Sequence, residues 1–280
     1  MAEETDESSS GSNPQRGGTN PGERTAARGT TAKGGTVAKG LGVLTTLGDF
    51  PDGATAGDVA RAVGHPFSTT YRLLGTLVDT GFVTYDPAGK RYALGLAVFE
   101  LGQRVAHARG FAGSALPVLS ELTRRTGESS LVAVRDGAHT VTMHTVDGPQ
   151  FRTTTDPGDR GPLHTSAIGK ILLAQMDPAQ RRALLESLDL TARTPHSLAD
   201  AEALNAQLDE AASQGWVYQR EEHDLGMNAI AVPVTTQSGI TLASLALAAP
   251  LFRADRDALV SHVPTMQDAA ARLAVLLPHP

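Results

Sequence analysis

The stretch that most narrows what this chain can fold into is TAGDVARAVGHPFSTTYRLLGTLVDTGFVTYDPAGKRYAL, residues 55–94. Thr55, with Asp58 three positions on, forms a capping box that opens a short helix, and Gly64 supplies the left-handed residue that closes it. The spacing predicts a second helix over 68–80. Thr70, Leu73, Leu74, Leu77 and Val78 fall on one side; Ser68, Thr69, Arg72, Thr76 and Asp79 fall largely on the other. Gly81 stops that helix, and FVTY and KRYAL then flank a DPAG turn as two short strands. Helix, tight turn, helix, hairpin is the order of a winged helix-turn-helix. In that arrangement the second helix enters the DNA major groove and the hairpin lies against the backbone.

A third wall is needed to bury two such helices. Residues 37–50, VAKGLGVLTTLGDF, supply it: Val37, Leu41, Leu44 and Leu47 recur at helical spacing, with Thr36 placed to cap them. Two glycines lower its intrinsic propensity, so packing must hold it. PDG at 51–53 turns into the capped helix, and Val59, Ala62 and Val63 join the core of a small domain over 37–94. A linker helix follows over 95–110, with Leu96, Phe99, Leu101 and Val105 as a broad apolar face and Gly110 as its end. Such a helix joins domains or pairs with its twin in a dimer; a bare spacer has no need of so many apolar residues.

Charge is the composition-level objection to DNA. The 280-residue chain carries 24 Lys and Arg against 30 Asp and Glu, a formal net charge of -6. Its distribution softens the objection. Residues 37–109 hold seven Lys/Arg against six Asp/Glu, and 110–280 hold thirteen against nineteen. The acidity belongs to the larger part, but a surplus of one cation is a weak footprint, so affinity calls for a dimer presenting two reading heads. Residues 1–36 have almost nothing to bury and are expected to be a disordered tail. Its Arg16, Arg24, Arg28 and Lys33 touch phosphate non-specifically or simply keep the tail soluble. Residues 1–28 lack the apolar core of a signal peptide, and no run is long enough to span a bilayer, so no membrane partner is expected and the expected location is the cytoplasm. With no cysteine there is neither a disulfide framework nor thiolate chemistry.

From 111 to 280 the order is helix, hairpin, strand, helices, two strands, helix. SALPVLSELTRRTGES (114–129) is a helix built on Leu116, Leu119 and Leu122, and SSLVAVRDGAHTVTMHTVDG is a hairpin turning at Asp136-Gly137. A Pro/Gly-rich loop leads into a helix over 166–176, and Asp177-Pro178 opens another. Residues 199–214 form a further helix with Leu204 and Leu208 inward. After an extended piece from Trp216, two strands meet at TTQSG, and 251–277 ends in one or two helices. This is an α+β arrangement, helices on one mostly antiparallel sheet, with room for a ligand cup bounded by loops.

HxxxH and HExxH metal spacings, GxSxG, a P-loop and a dinucleotide fingerprint are all absent, and the glycines of 40–48 sit inside an apolar helix with no preceding strand. Glu221, Glu222, His223 and Asp224 form the cluster most suggestive of metal or acid–base work; its plainer reading is a charged loop before a strand. His144, His164 and His196 are scattered. PLHTSAIGK (162–170) turns into a helix start whose free N–H groups from about Thr165 to Ile168 favour an anion, or simply begin a packed helix. In the first domain Arg72 is the long cation on the outward face, suited to a base edge or phosphate, with Ser68, Thr69 and Thr76 beside it. Tyr71 packs at the rim or reaches phosphate. Lys90 and Arg91 suit phosphate contact from the wing, Arg61 reads as a solvated charge, and His65 lies in the tight turn.

Together these residues resemble the IclR family of bacterial transcriptional regulators over nearly all of 37–277. FSTTYRLLGTLVDTGFV stands where that family has its recognition helix, and GPLHTSAIGKILLA, REEHDLGMNAIAVPV and SLALAAP follow at the expected separations. The resemblance implies a winged helix-turn-helix joined by a linker helix to a GAF-like effector-binding domain, without catalysis or cofactor. Its implied partners are a double-stranded DNA operator, a small organic effector, and further copies of itself in a homodimer or dimer of dimers. Repression is the commoner output. The effector cup it implies is lined by Ala167 and Ile168 and by Met227, Ala229, Ala246 and Ala248, with Gln219 and Asn228 as polar contacts. Small polar residues usual at 246 and 248 are Ala here, and a Cys usual at 229 is also Ala. The missing donors imply an effector more apolar or larger than a two- or three-carbon acid, or a cup filled by the protein's own side chains. An enzyme tethered by the first domain is the competing class, supported only by 221–224 and the scattered histidines.

Overall fold

The computed structural model describes residues 35–108, 113, 115–152 and 155–277. The expected tail over 1–36 and the expected linker end at Gly110 lie outside the described residues, apart from Gly35 and Thr36. The chain divides into two compact units, Met1–Ala97 and Val98–Pro280.

The first unit holds α1 (Thr36–Leu47), α2 (Ala56–Val63), α3 (Phe67–Asp79) and a two-stranded antiparallel hairpin of β1 (Val83–Asp86) and β2 (Arg91–Leu94). The capping box is formed as read: Thr55 Oγ1 accepts from Asp58 N, and Asp58 Oδ2 accepts from Thr55 N. Gly64 closes α2 at φ 67°. The first helix differs from expectation. Gly35, not Thr36, is its N-cap, and no side chain caps it. Val37 and Leu41 are exposed, while Val43 and Leu47 are buried with Leu44 packed against them. The inward stripe runs Gly40, Val43, Leu44, Leu47: a Cβ on Gly40 would already meet Leu73 Cδ2 at 3.9 Å, so the glycine lies on the packed side. Ala62 is likewise exposed, and Val59, Ala60 and Leu74 fill the core instead. Gly95 follows the wing where no Cβ fits, 2.2 Å from Gly81 O.

Helix α4 (Leu96–Ala108) comes next, with Leu96, Phe99, Leu101 and Val105 all exposed. They do not share one stripe. At helical spacing Leu96 groups with Phe99, and Leu101 with Val105 on the far side.

The second unit is built on six strands: β3 (Ser129–Asp136), β4 (His139–Val146), β5 (Arg160–Pro162), β6 (Val217–Arg220), β7 (Met227–Thr235) and β8 (Thr241–Pro250). They form one sheet in the order β5-β4-β3-β8-β7-β6, every neighbouring pair antiparallel. Successive side chains on a strand point to opposite faces, so each strand feeds two cores. Val132, Ile230, Val232, Leu245 and Leu247 face α5 (Ala115–Thr126), α9 (Arg256–Ser261) and α10 (Val263–Leu276). Leu131, Ala133, Val217, Ala231 and Ala246 face α6 (Ala167–Ala174) and α8 (Ala201–Gln214), with α7 (Pro178–Ser187) beside them. Leu116 is exposed, and α5 packs through Val118, Leu119 and Leu122. No helix of the described residues is long and apolar enough to cross a membrane.

Candidate functional site

Two surfaces carry chemistry, one in each unit. On the first, α3 presents Ser68, Tyr71, Arg72 and Thr76 to solvent, with Thr69 half-buried and Thr70, Leu73 and Leu74 buried behind them. Pro66 precedes α3 without a side-chain cap, which leaves the first N–H groups of the helix pointing outward. Thr76 spends its hydroxyl on Arg72 O at 3.2 Å. The wing turn carries Lys90 in the left-handed region at φ 51°. Arg91 is partly committed: its Nη1 donates to Gly53 O at 2.7 Å, tying the wing to the turn before α2. Arg61 is a surface charge paired with Asp58 at 3.3 Å. Phe67 had no place among the expected contacts, yet it is exposed and its ring stacks on Tyr71. The expected helix began at residue 68 and so left Phe67 out, whereas α3 begins at Phe67 itself.

On the second surface, register puts Gln219 opposite Ala229, Ala229 opposite Ala248, and Ala248 opposite Ser129, one row across the face that carries α6. The next row, Val217, Ala231, Ala246 and Leu131, is buried. Ala231 and Ala246 are sealed, whereas Ala229 and Ala248, one step along the same strands, are only partly buried. Packing thins there, at the level of two methyl groups. Ala167 and Ile168 belong to the same cluster from the start of α6, where Ser166 caps the helix through Gly169 N at 3.1 Å. Met227 shares the parity of Ala229. Asn228 does not: alternation turns it to the opposite face, where its Nδ2 donates to Ala254 O at 2.9 Å. It therefore leaves the expected cup. Gln219 is buried on the cup side, and its Oε1 accepts from Glu222 N at 2.9 Å. Ser129 has both roles of its hydroxyl taken, by Gly148 N and Phe151 O.

The 221–224 cluster is a charged loop before a strand, as its plainer reading had it, and part of that loop is buried. Glu222 is buried against Lys170, whose Nζ stands 2.6 and 2.5 Å from the two carboxylate oxygens and is 0% exposed. Burial pushes the Lys170 ammonium down, and the Glu222 carboxylate opposes that. Thr194 and Ser197 donate to the carbonyls of Glu221 and Glu222 at 2.6 and 2.7 Å. Glu221 sits at φ 55° and accepts from Gly226 N at 2.9 Å. His223 Nδ1 meets Thr165 Oγ1 at 3.0 Å, so the loop is stitched to α6 and its approach at two points. Burial, reinforced by Arg193 and opposed by Asp224, lowers His223 to about 4, leaving it neutral at ordinary pH. His164 is lowered for the same first reason and donates through Nε2 to Thr191 O at 3.0 Å. No group of three or more His, Asp or Glu among the described residues could hold a metal ion. Lys170 was left without a role by its sequence position, since a lysine inside an apolar helix says nothing of a partner 52 residues away.

A winged helix-turn-helix followed by an α+β unit with a small-residue row under a helix start defines a class: a DNA-binding regulator with a second domain for sensing. The family described as the C-terminal domain of the bacterial transcriptional regulator IclR matches residues 103–275, and the IclR helix-turn-helix domain matches 36–87. The chain belongs to the IclR family of bacterial transcriptional regulators. It is 32% identical over 224 residues to the HTH-type transcriptional regulator XynR of Escherichia coli (strain K12), covering 80% of this chain and 89% of that protein. To KdgR of the same organism it is 32% identical over 237 residues, covering 84% and 89%. The regulator from Alicyclobacillus acidocaldarius superposes with a TM-score of 0.75 at 26% identity, covering 86% of this chain and 98% of that one. An IclR homologue from Microbacterium hydrocarbonoxydans, solved with 4-hydroxybenzoate, gives 0.74 at 25% identity, covering 86% and 98%. These relatives are regulators of transcription, not enzymes.

Proposed function

We propose that this regulator is a repressor whose operator binding is set by a small organic effector held beside Ala229 and Ala248. The observation that carries the reading is the partial exposure of those two alanines beside a row, Val217, Ala231, Ala246 and Leu131, that is fully covered. Ala167 and Ile168 wall that space from α6, and Met227 borders it along β7. Gln219 supplies its polar group. Its carbonyl is engaged by Glu222 N, which leaves the amide NH2 as a donor. With no hydroxyl at 229, 246 or 248, the effector is more apolar than a short carboxylic acid. The relative solved with 4-hydroxybenzoate supports a ring-sized ligand in this fold, and a repressor named AllR, 29% identical over 264 residues, supports the sign of the output.

On the DNA side, Arg72 reads a base edge or phosphate, with Tyr71 and Thr76 on the same outward face. Ser68 and Thr69 meet the backbone at the first turn of α3, and Lys90 meets it from the wing. Arg91 positions the wing and offers phosphate only its remaining N–H groups. The chain works as a homodimer or dimer of dimers, since groove spacing lets a small change in head separation release one half-site.

The test is selection of genomic fragments by the purified full-length protein, with small-molecule pools added in a second round. An inverted repeat released by one compound is the expected result. A repeat that no compound releases would reassign the cup as filled by its own side chains. No enriched DNA at low salt would remove the operator reading.

A further inference from the structure

Phe67 and Tyr71 stand one turn apart at the start of α3, 58% and 56% exposed, with ring centroids 5.9 Å apart and planes 24° from parallel. A large apolar side chain left in water forgoes the free energy of burial. Neither ring closes the core of the first unit, which is filled by Val43, Leu47, Val59 and Leu74. Both lie in the first turns of α3, the end that a helix-turn-helix offers to base edges, with Tyr71 between Phe67 and Ser68 around the helix. The aromatic line continues into the wing, where Tyr85 and Tyr92 pack at 4.7 Å. Three of the chain's four tyrosines are in this small unit.

Charge sharpens the point. Phosphate neutralisation scales with the cations a domain brings, and residues 37–109 hold seven Lys/Arg against six Asp/Glu. Phosphate contacts fix position without reading sequence, so discrimination comes from base edges and DNA shape. Among base edges in the major groove, the one apolar feature is the C5 methyl group of thymine.

We propose that Phe67, braced by Tyr71, reads thymine through that methyl group and sets a base preference in each half-site. This rests on α3 being the DNA-reading helix. The ring and the methyl group leave water together, and cytosine or a purine at that position leaves the ring facing polar atoms instead.

The experiment uses the full-length protein and a random-sequence duplex pool. The most enriched duplex is then remade with deoxyuridine at each thymine in turn, which removes one methyl group and keeps the pairing. Wild-type protein should lose about fourfold in affinity per contacted methyl, at one or two positions in each half-site. Phe67→Ala should bind thymine and uracil duplexes equally at those positions while Arg72→Ala still discriminates, a coupling that a general loss of affinity does not produce. Because Phe67 is exposed, its alanine variant should melt with the wild type, which separates recognition from folding. Equal binding of thymine and uracil duplexes by the wild type would overturn the proposal. So would a Phe67→Ala protein that keeps the discrimination, or one whose DNA-free sedimentation changes, which would make the aromatic pair a contact between copies. Failure to enrich any duplex, at the step before uracil is introduced, would instead overturn the reading of α3 itself.

Discussion

The Lys170–Glu222 pair is the residue on which the second unit makes its largest electrostatic commitment. Both groups are out of water, and their attraction offsets desolvation only while both are present. Lys170→Met or Glu222→Gln alone should cost about 3–5 kcal/mol in urea unfolding, because each strands a buried partner. The double variant Lys170→Met, Glu222→Gln should cost far less than the sum; additive losses would mean that the two groups do not act as a pair. His223 makes a pH prediction. An unfolded His223 titrates near 6.5, and the folded one is held at about 4. Between those values the unfolded chain binds a proton that the folded chain refuses. Its contribution is therefore complete above pH 6.5, declines as pH falls toward 4, and is then spent. The gap corresponds to about 3 kcal/mol. Melting from pH 7.5 to 4 should show the decline, and His223→Gln should flatten it; superimposable profiles would count against the assignment.

Among the elements, α6 shows most clearly how local signals and tertiary demands divide the work. Ser166 is a legible cap, and Ile171, Leu172 and Leu173 make a legible apolar helix. Gly169 is not legible. A Cβ there would stand 2.4 Å from Leu163 O and 2.5 Å from Leu163 Cα, so the incoming loop crosses the helix at a distance only glycine permits. Gly42, in α1, has nothing within 4 Å of its would-be Cβ. The two should respond with opposite signs. Gly169→Ala should lose about 1–3 kcal/mol through forced backbone movement, and Gly42→Ala should gain about 0.5–1 kcal/mol through helix propensity. Denaturant midpoints of the two variants check this, and a neutral Gly169→Ala would show that the crossing can relax. The misplaced face of α1 has the same origin. Apolar residues at helical spacing were available on two sides, and contact with Leu73 selected the side with the glycine.

At the scale of the whole molecule, α4 leaves Leu96 with Phe99 and Leu101 with Val105 exposed on opposite sides. A two-fold pairing of copies through the Leu96–Phe99 side would cover one of these patches. Phe99→Glu should weaken self-association about tenfold or more, read by sedimentation equilibrium. A protein that stays monomeric at high concentration before mutation would remove the dimer from the mechanism.

What the residues alone determined were the features written in neighbouring positions: the Thr55–Asp58 box, the wing turn, the Asp136-Gly137 hairpin, the helix start near Ser166 and the two-unit order. Each is settled by interactions within a few residues, where spacing states the geometry. What only the tertiary structure decided are properties of pairs distant in the chain. Asn228 found its partner in Ala254 O, 26 residues away, and the row of Gln219, Ala229 and Ala248 exists only once three strands align. Glu222 became a structural anion because Lys170, on another element, was brought within 2.6 Å of it. Burial and long-range pairing depend on which faces meet, and that is settled by packing across the whole domain rather than by any local pattern.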